Sequence, residues 1–278
     1  MCPVRVPAPA KINLFLHIVG RRADGYHLLQ TAFRLLDWGD DISLRRRDDG
    51  RIVRTGDVPG VPAEADLVVR AARALQAASG SSFGADIGVD KRIPMGGGLG
   101  GGSSDAASVL IALNRLWGCG LSRARLQEIG LSLGADVPFF IFGQTAFAEG
   151  VGEALQALEV PPAWYVMIAP PVAVATAEIF SARELTRNSE PIIMRAFATH
   201  TTRNDMQATV CKKFPEVAEA LEWLSRYGAA RMSGSGACIF APFDSEGIAA
   251  QVVSAAPQGW KVWLARGLDR HPLQDWLE

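Results

Sequence analysis

Between a short strand-like run and a long amphipathic stretch lies Pro94-Met95-Gly96-Gly97-Gly98-Leu99-Gly100-Gly101-Gly102-Ser103-Ser104. Six of the seven residues from Gly96 to Gly102 are glycine, which would cost a merely structural segment heavily in backbone entropy. In return, glycine supplies permissive dihedrals and no Cβ, so successive backbone N–H groups can close on a polyanion. A helix starting behind such a loop adds unsatisfied donors and about half a positive charge. The combination points to a phosphate cradle and to nucleotide-dependent phosphoryl transfer.

The helix is read from Ala106, Val109, Leu110, Leu113, Leu116 and Trp117, which recur at helical spacing. Ser104 and Asp105 are its N-cap candidates, and Gly118 and Gly120 its stop. A flexible linker fits poorly between a strand (Ala85 to Arg92) and a capped helix.

Three known glycine-rich designs fail here. The P-loop needs a lysine directly before its hydroxyl residue, and Gly102-Ser103 has none. Gly96-x-Gly98-x-x-Gly101 satisfies the dinucleotide spacing by letter. A dinucleotide fold, however, wants that turn in its first βα unit, with an acidic residue ending the next strand about 20 positions on. Here the following segment, Leu121 to Leu133, reads as helix. The protein-kinase loop covers phosphates from a hairpin with no helix behind it.

The loop resembles the P-x-G-x-G-L-G-x-S-S signature of the GHMP kinases, the superfamily of galacto-, homoserine, mevalonate and phosphomevalonate kinases. Three other segments, in the right order, extend the resemblance from residue 9 to about residue 240. They are Pro9-Ala10-Lys11-Ile12-Asn13-Leu14 with Asp24-Gly25-Tyr26-His27, then Gly134-Ala135-Asp136-Val137-Pro138-Phe139-Phe140, and Arg231-Met232-Ser233-Gly234-Ser235-Gly236-Ala237-Cys238. Together they are most similar to the branch serving isoprenoid precursor synthesis, whose acceptor is the 2-hydroxyl of a cytidine diphosphate-linked methylerythritol. The resemblance implies ATP as phosphoryl donor, with magnesium accompanying it, and a small-molecule cytidine diphosphate substrate. It also implies a two-lobed α+β fold: a ribosomal-protein-like N-terminal lobe with a left-handed βαβ crossover, and a ferredoxin-like C-terminal lobe.

Composition is consistent with this. A chain of 278 residues, 49% of them hydrophobic, can bury a large core. A net charge of −1 gives neither a nucleic-acid nor a membrane footprint, so anion affinity must be local. Cys2, Cys119, Cys211 and Cys238 show no paired spacing, which argues for a reducing compartment and against zinc; Cys238 reads as a small core residue on a strand. With no signal-peptide pattern and no uninterrupted apolar span, a cytoplasmic location is expected. Nothing in the sequence sets an oligomeric state.

Along the chain, residues 4 to 19 alternate, with Ile12, Leu14, Leu16 and Ile18 on one face and Lys11, Asn13, Phe15 and His17 on the other. Residues 30 to 55 read as strands around an Asp48-Asp49-Gly50 hairpin turn, 63 to 78 and 123 to 133 as helices, and 139 to 148 as strand. From Pro161-Pro162 the pattern resets, giving an ATP-binding domain over 1–160 and a C-terminal domain over 161–278 that contributes to substrate binding. The second part reads as strand 164–169, helices 177–185, 205–213 and 215–227, a strand-turn-strand 229–241, helix 245–255 and strand 261–265.

Phosphoryl transfer to an alcohol needs alignment, charge neutralisation and a proton acceptor. Asp136 is the candidate acceptor, with Pro138 expected to hold Val137 extended and fix the carboxylate at a corner. Read from its neighbours alone, Asp136 is an ordinary turn aspartate; the family motif gives it the catalytic role. Lys11 and Asn13 are two apart on a strand and share a face, roughly 6 to 7 Å apart. If Lys11 faces Asp136 it keeps the carboxylate ionised and offsets charge developing in transfer. The resemblance places Pro94 to Ser104 around ATP, Tyr26, His27 and Phe180 around the cytosine, Asn13 and Thr176 on substrate oxygens, and Gly234 and Ser235 in a turn closing from the second lobe. Ser103 or Ser104 suits a magnesium contact, but no glutamate occupies a matching position, so no protein metal ligand is assigned.

Overall fold

The computed structural model describes residues 3–23, 25–197 and 201–277. Asp24 of the Asp-Gly-Tyr-His motif, His200 and Cys2 lie outside them. Two long strands dominate the first half: β1 (Val4–Arg21) and β2 (His27–Arg47) pair antiparallel along nearly their whole length. β3 (Ile52–Thr55) follows, then α1 (Leu67–Ser79), β4 (Gly84–Asp90), α2 (Gly101–Leu116), α3 (Arg123–Leu133), α4 (Val137–Phe142), β5 (Ala146–Glu149) and β6 (Ala154–Ala157). The second half holds β7 (Trp164–Ala169), α5 (Thr176–Ser181), α6 (Gln207–Lys213), α7 (Pro215–Ser225), β8 (Arg231–Met232), β9 (Ile239–Phe243), α8 (Glu246–Ser254) and β10 (Lys261–Leu268).

The main path of the mixed sheet runs β3-β4-β2-β10-β7-β9-β8, with β1 on β2 and the β5-β6 pair on β2. β10 is the seam: Lys261 to Arg266 pair with β7, and Gly267 and Leu268 pair with Leu36 and Leu35 of β2. The mixture of strands and helices is the α+β class expected. Largely separate apolar cores lie under the two parts, one around α1, α2 and α4, the other around α6, α7 and α8. Buried Arg34 reinforces the seam by reaching Thr145, the Val160 carbonyl and Asp269.

Several expectations are corrected. Asp48-Asp49-Gly50 is a turn but not a hairpin turn: β3 pairs parallel with β4, and β4 stands between β3 and β2. A local turn signal cannot report which strand fills the gap. Residues 139 to 142 are helix, not strand, because Pro138 occupies the first turn of α4, where its missing N–H costs nothing; Val137 is helical rather than extended. A bulge between Asn13 and Phe15 breaks the alternation of β1. Leu16, opposite Thr31, therefore shares the face of Lys11 and Asn13, while Phe15 turns to the other side against Phe147. Cys238 is buried as expected but lies one residue before β9, not on it.

Candidate active site

α2 begins at Gly101, earlier than Ser104 and Asp105 suggested, with Gly100 in the left-handed region (φ 72°) as its N-cap. The reason is that Ser104 is not free to cap: its Oγ donates to the Pro9 carbonyl at 2.7 Å, and Ser108 Oγ donates to that of Pro7 at 2.8 Å, docking the helix on β1. The first-turn N–H groups of Gly101, Gly102 and Ser103 have no intrahelical acceptor. All three residues line a cavity of about 430 Å³.

The loop before α2 is anchored through its carbonyls. Gly96 O accepts from Ala237 N, Gly97 O from Cys238 N, Gly98 O from Ser233 Oγ, and Leu99 O from Lys11 N, at 2.9 to 3.1 Å. The turn over 233–238 therefore grips the loop from the second half of the chain. Ser233 also accepts from Asn13 N at 3.2 Å. The fit needs glycine at Gly98, where φ is 73° and a Cβ would come 2.1 Å from the Ser233 carbonyl oxygen.

Lys11, 3% exposed, enters the same cavity. Its Nζ donates to Asn13 Oδ1 at 2.5 Å, lies 3.4 Å from Asp136 Oδ2 and sits 5.2 Å from the centroid of the Phe33 ring. Asn13 is held in turn by donating to Thr31 Oγ1 at 2.9 Å. Asp136 stands at the N-terminus of α4 with its side chain 34% exposed. A buried cation beside a carboxylate open to the cavity can both neutralise charge on a transferring phosphoryl group and orient an attacking hydroxyl.

At the other end of the cavity Thr176 Oγ1 and Ser235 Oγ are 2.7 Å apart, and Phe180 and Gly234 join the lining. Phe180 also faces a second recess of about 480 Å³, lined with Arg21, Gly25, Tyr26, His27, Ala177 and Ser181. Tyr26 is exposed there, while His27 and Phe180 stack directly on each other, centroids 4.7 Å apart and planes 18° from parallel. A base entering between those two rings must part them; one entering beside Tyr26 need not. Burial, then the charges of Arg187 and Arg21, push His27 below the ordinary imidazole range.

Sequence reasoning missed Lys91, which lies beside the first turn of α2 in the cavity wall. Its ammonium pairs with Asp40 and, at 2.8 Å, with Asp105. Burial opposes its charge, but Asp105 and Asp40 outweigh it and raise the ammonium above its ordinary value. Burial drives the Asp105 carboxyl up to about 7, against the pull of Lys91 and with Asp40 adding to it. One signal was available: Lys91 is one of few lysines in an arginine-rich chain and stands just before the loop. Its acidic partners lie on β2 and α2 and carry no local signal.

The fold and the cavity are those of a small-molecule kinase. The family model for the GHMP kinases N terminal domain matches residues 66–144, and that for the GHMP kinases C terminal matches residues 184–262. The chain belongs to the GHMP kinases. It is 61% identical to the 4-diphosphocytidyl-2-C-methyl-D-erythritol kinase of Aromatoleum aromaticum, across 98% of this chain and 95% of that one. It is 63% identical to the enzyme of the same name from an Azoarcus species, across 98% and 96%. A crystal structure of 4-(cytidine 5'-diphospho)-2C-methyl-D-erythritol kinase superposes with a TM-score of 0.83 at 33% identity, covering 95% of this chain and 99% of the other.

Proposed function

We infer that this chain is an ATP-dependent kinase that phosphorylates the 2-hydroxyl of 4-(cytidine 5'-diphospho)-2-C-methyl-D-erythritol, a step towards isoprenoid precursors. The observation that carries the reading is one cavity in which the glycine-lined first turn of α2, the Lys11–Asp136 pair and Phe180 all converge. Identity above 60% to two relatives bearing that enzyme's name supports the choice of acceptor.

In this reading the triphosphate of ATP lies against Pro94 to Ser103, with Gly101, Gly102 and Ser103 donating backbone hydrogen bonds. Ser104, expected from the sequence to join them, is buried against β1 outside the cavity. The acceptor oxygen attacks the γ-phosphorus as that phosphorus separates from the bridging oxygen, ADP leaves, and the hydroxyl proton passes to Asp136. Lys11 holds Asp136 in place and offsets charge on the moving group. Asn13, Thr176, Gly234 and Ser235 contact the acceptor's oxygens, while Tyr26, His27 and Phe180 take its base.

Magnesium would neutralise the phosphate tail. Ser103 Oγ and the Asp136 carboxylate are the side-chain oxygens offered to it, since Ser104 is committed to Pro9. Among the described residues no group of three or more metal-ligating side chains exists. That donor set fits an ion carried in on the phosphates, largely hydrated, rather than a resident metal.

We also propose residues 1–160 as the ATP-binding lobe and 161–278 as the lobe completing the substrate site. A cytoplasmic location belongs to the same reading, supported by the free thiols of Cys119, Cys211 and Cys238. Among the described residues no helix is long and apolar enough to cross a membrane. The test is incubation with γ-labelled ATP and a panel of the cytidine diphosphate-linked methylerythritol, homoserine, mevalonate and galactose. Label is expected on the first alone; label on homoserine alone would overturn the choice of acceptor.

A further inference from the structure

We propose that Arg187 is a specificity-positioning residue, which fixes the tautomer of His27 and couples that ring to the helix carrying Phe180. The proposal deepens the reading above, in which those two rings meet the acceptor's base.

Arg187 lies in the segment after α5 and spends its guanidinium on four acceptors. Its Nε donates to His27 Nε2 at 3.2 Å. Its Nη2 donates to the carbonyls of Phe180 and Ala182 at 2.9 and 2.7 Å, and its Nη1 to that of Leu185 at 3.0 Å. Phe180 is within the last turn of α5, whose terminal carbonyls have no intrahelical donor. The guanidinium supplies one and ties the helix end to the first residue of β2.

A guanidinium has donors only. Where it meets an imidazole nitrogen, that nitrogen must carry a lone pair, so a neutral His27 holds its proton on Nδ1. The lowered proton affinity of His27, caused first by burial and then by Arg187 and Arg21, favours the neutral ring. With Nε2 engaged, the Nδ1–H is the donor left for a ligand. A donor there suits a pyrimidine whose N3 and O2 are both acceptors, as in cytosine. Where it meets N3, it opposes a base whose N3 carries a hydrogen, as in uracil. A site built to hydrogen-bond one base edge discriminates strongly against the wrong edge, because its own polar atoms are then left unpaired. Arg187 would therefore act on base choice without touching the base.

The first readout is the imidazole ¹⁵N spectrum of the histidine-labelled, substrate-free enzyme, with His27 assigned by its loss in His27→Gln. The expected pattern is protonated Nδ1 and lone-pair Nε2. A protonated Nε2 in the wild type overturns the proposal, whatever the enzyme's substrate. The second is steady-state kinetics of Arg187→Leu and Arg187→Lys with cytidine and uridine diphosphate-linked acceptors. For Arg187→Leu the KM of the cytidine substrate should rise roughly tenfold, the effect of losing one well-made hydrogen bond. The saturated rate should be largely kept, and the preference for cytidine over uridine should shrink. Arg187→Lys, which keeps the charge but loses the fork, should restore part of that preference. An unchanged preference in a folded Arg187→Leu enzyme overturns the proposal. If neither acceptor is phosphorylated by the wild type, the functional reading fails, while the spectrum still decides the tautomer.

Discussion

The Nζ of Lys11 and the Oδ2 of Asp136 lie 3.4 Å apart, the lysine side chain almost wholly buried and the carboxylate one-third exposed to the cavity. The lysine has other fixed partners, Asn13 and the Phe33 ring, so its position does not depend on the carboxylate. Replacing Asp136 by asparagine should therefore leave the site assembled while removing the carboxylate proposed as proton acceptor. Turnover should fall by about 100- to 10,000-fold, the usual worth of general-base help. Nucleotide affinity, measured by calorimetric titration, should hold. Equal losses in rate and nucleotide affinity would assign Asp136 a structural role instead.

Tyr26 and Phe180 offer a test of base stacking with different structural costs. Tyr26 is 66% exposed, whereas Phe180 also packs on the second core. Tyr26→Ala should leave the melting temperature alone and raise the KM of the cytidine substrate by about 5- to 150-fold, from about 1 to 3 kcal/mol of stacking per base. Phe180→Ala should raise the same KM and also lower the melting temperature. An unaltered KM in Tyr26→Ala would remove Tyr26 from the base site.

At Gly98 the loop before α2 packs directly on the 233–238 turn. An alanine Cβ would lie 2.1 Å from the Ser233 carbonyl oxygen, on a backbone with φ of 73°. Neither group can yield without releasing the hydrogen bond from Ser233 Oγ to Gly98 O. Gly118 is the control: its φ is 67° but nothing lies within 4 Å of an added Cβ. Gly118→Ala should cost about 1 to 2 kcal/mol, the left-handed penalty alone. Gly98→Ala should cost clearly more in a denaturant melt and should also weaken nucleotide binding. Matching losses from the two substitutions would mean that the loop is not gripped by the 233–238 turn.

The glycine-rich loop was legible in the sequence because glycine clustering is a local signal, and α3 and β7 fall on the residues their periodicity predicts. Lys11 and Asp136 could be paired in advance only through the family motifs, since nothing local joins a strand residue near the N-terminus to a turn after α3. The bulge in β1 was invisible because it falls in the run Leu14-Phe15-Leu16, where three consecutive apolar residues do not show which of them changes face. The insertion of β4 between β2 and β3, and the Lys91 cluster, depend on contacts distant in the chain. Asp105 was read as a cap, its commonest use, when it is buried inside α2 facing Lys91.

That buried aspartate makes stability depend on pH. Its carboxyl stands at about 7 in the folded protein against 3.8 ordinarily, chiefly through burial. Between those values the folded state holds a proton that the unfolded chain has released, so stability should decline as pH rises from about 4 to about 7 and stay lower above. Asp40 faces the same Lys91 ammonium. Asp105→Asn keeps the shape and leaves Asp40 to pair Lys91, so the variant should melt above the wild type at pH 8. Towards pH 5, where the wild-type carboxyl is itself neutral, the difference should close. A variant that melts lower at pH 8 would mean that the second carboxylate on Lys91 stabilises the fold more than its burial costs, reversing the sign argued from the geometry.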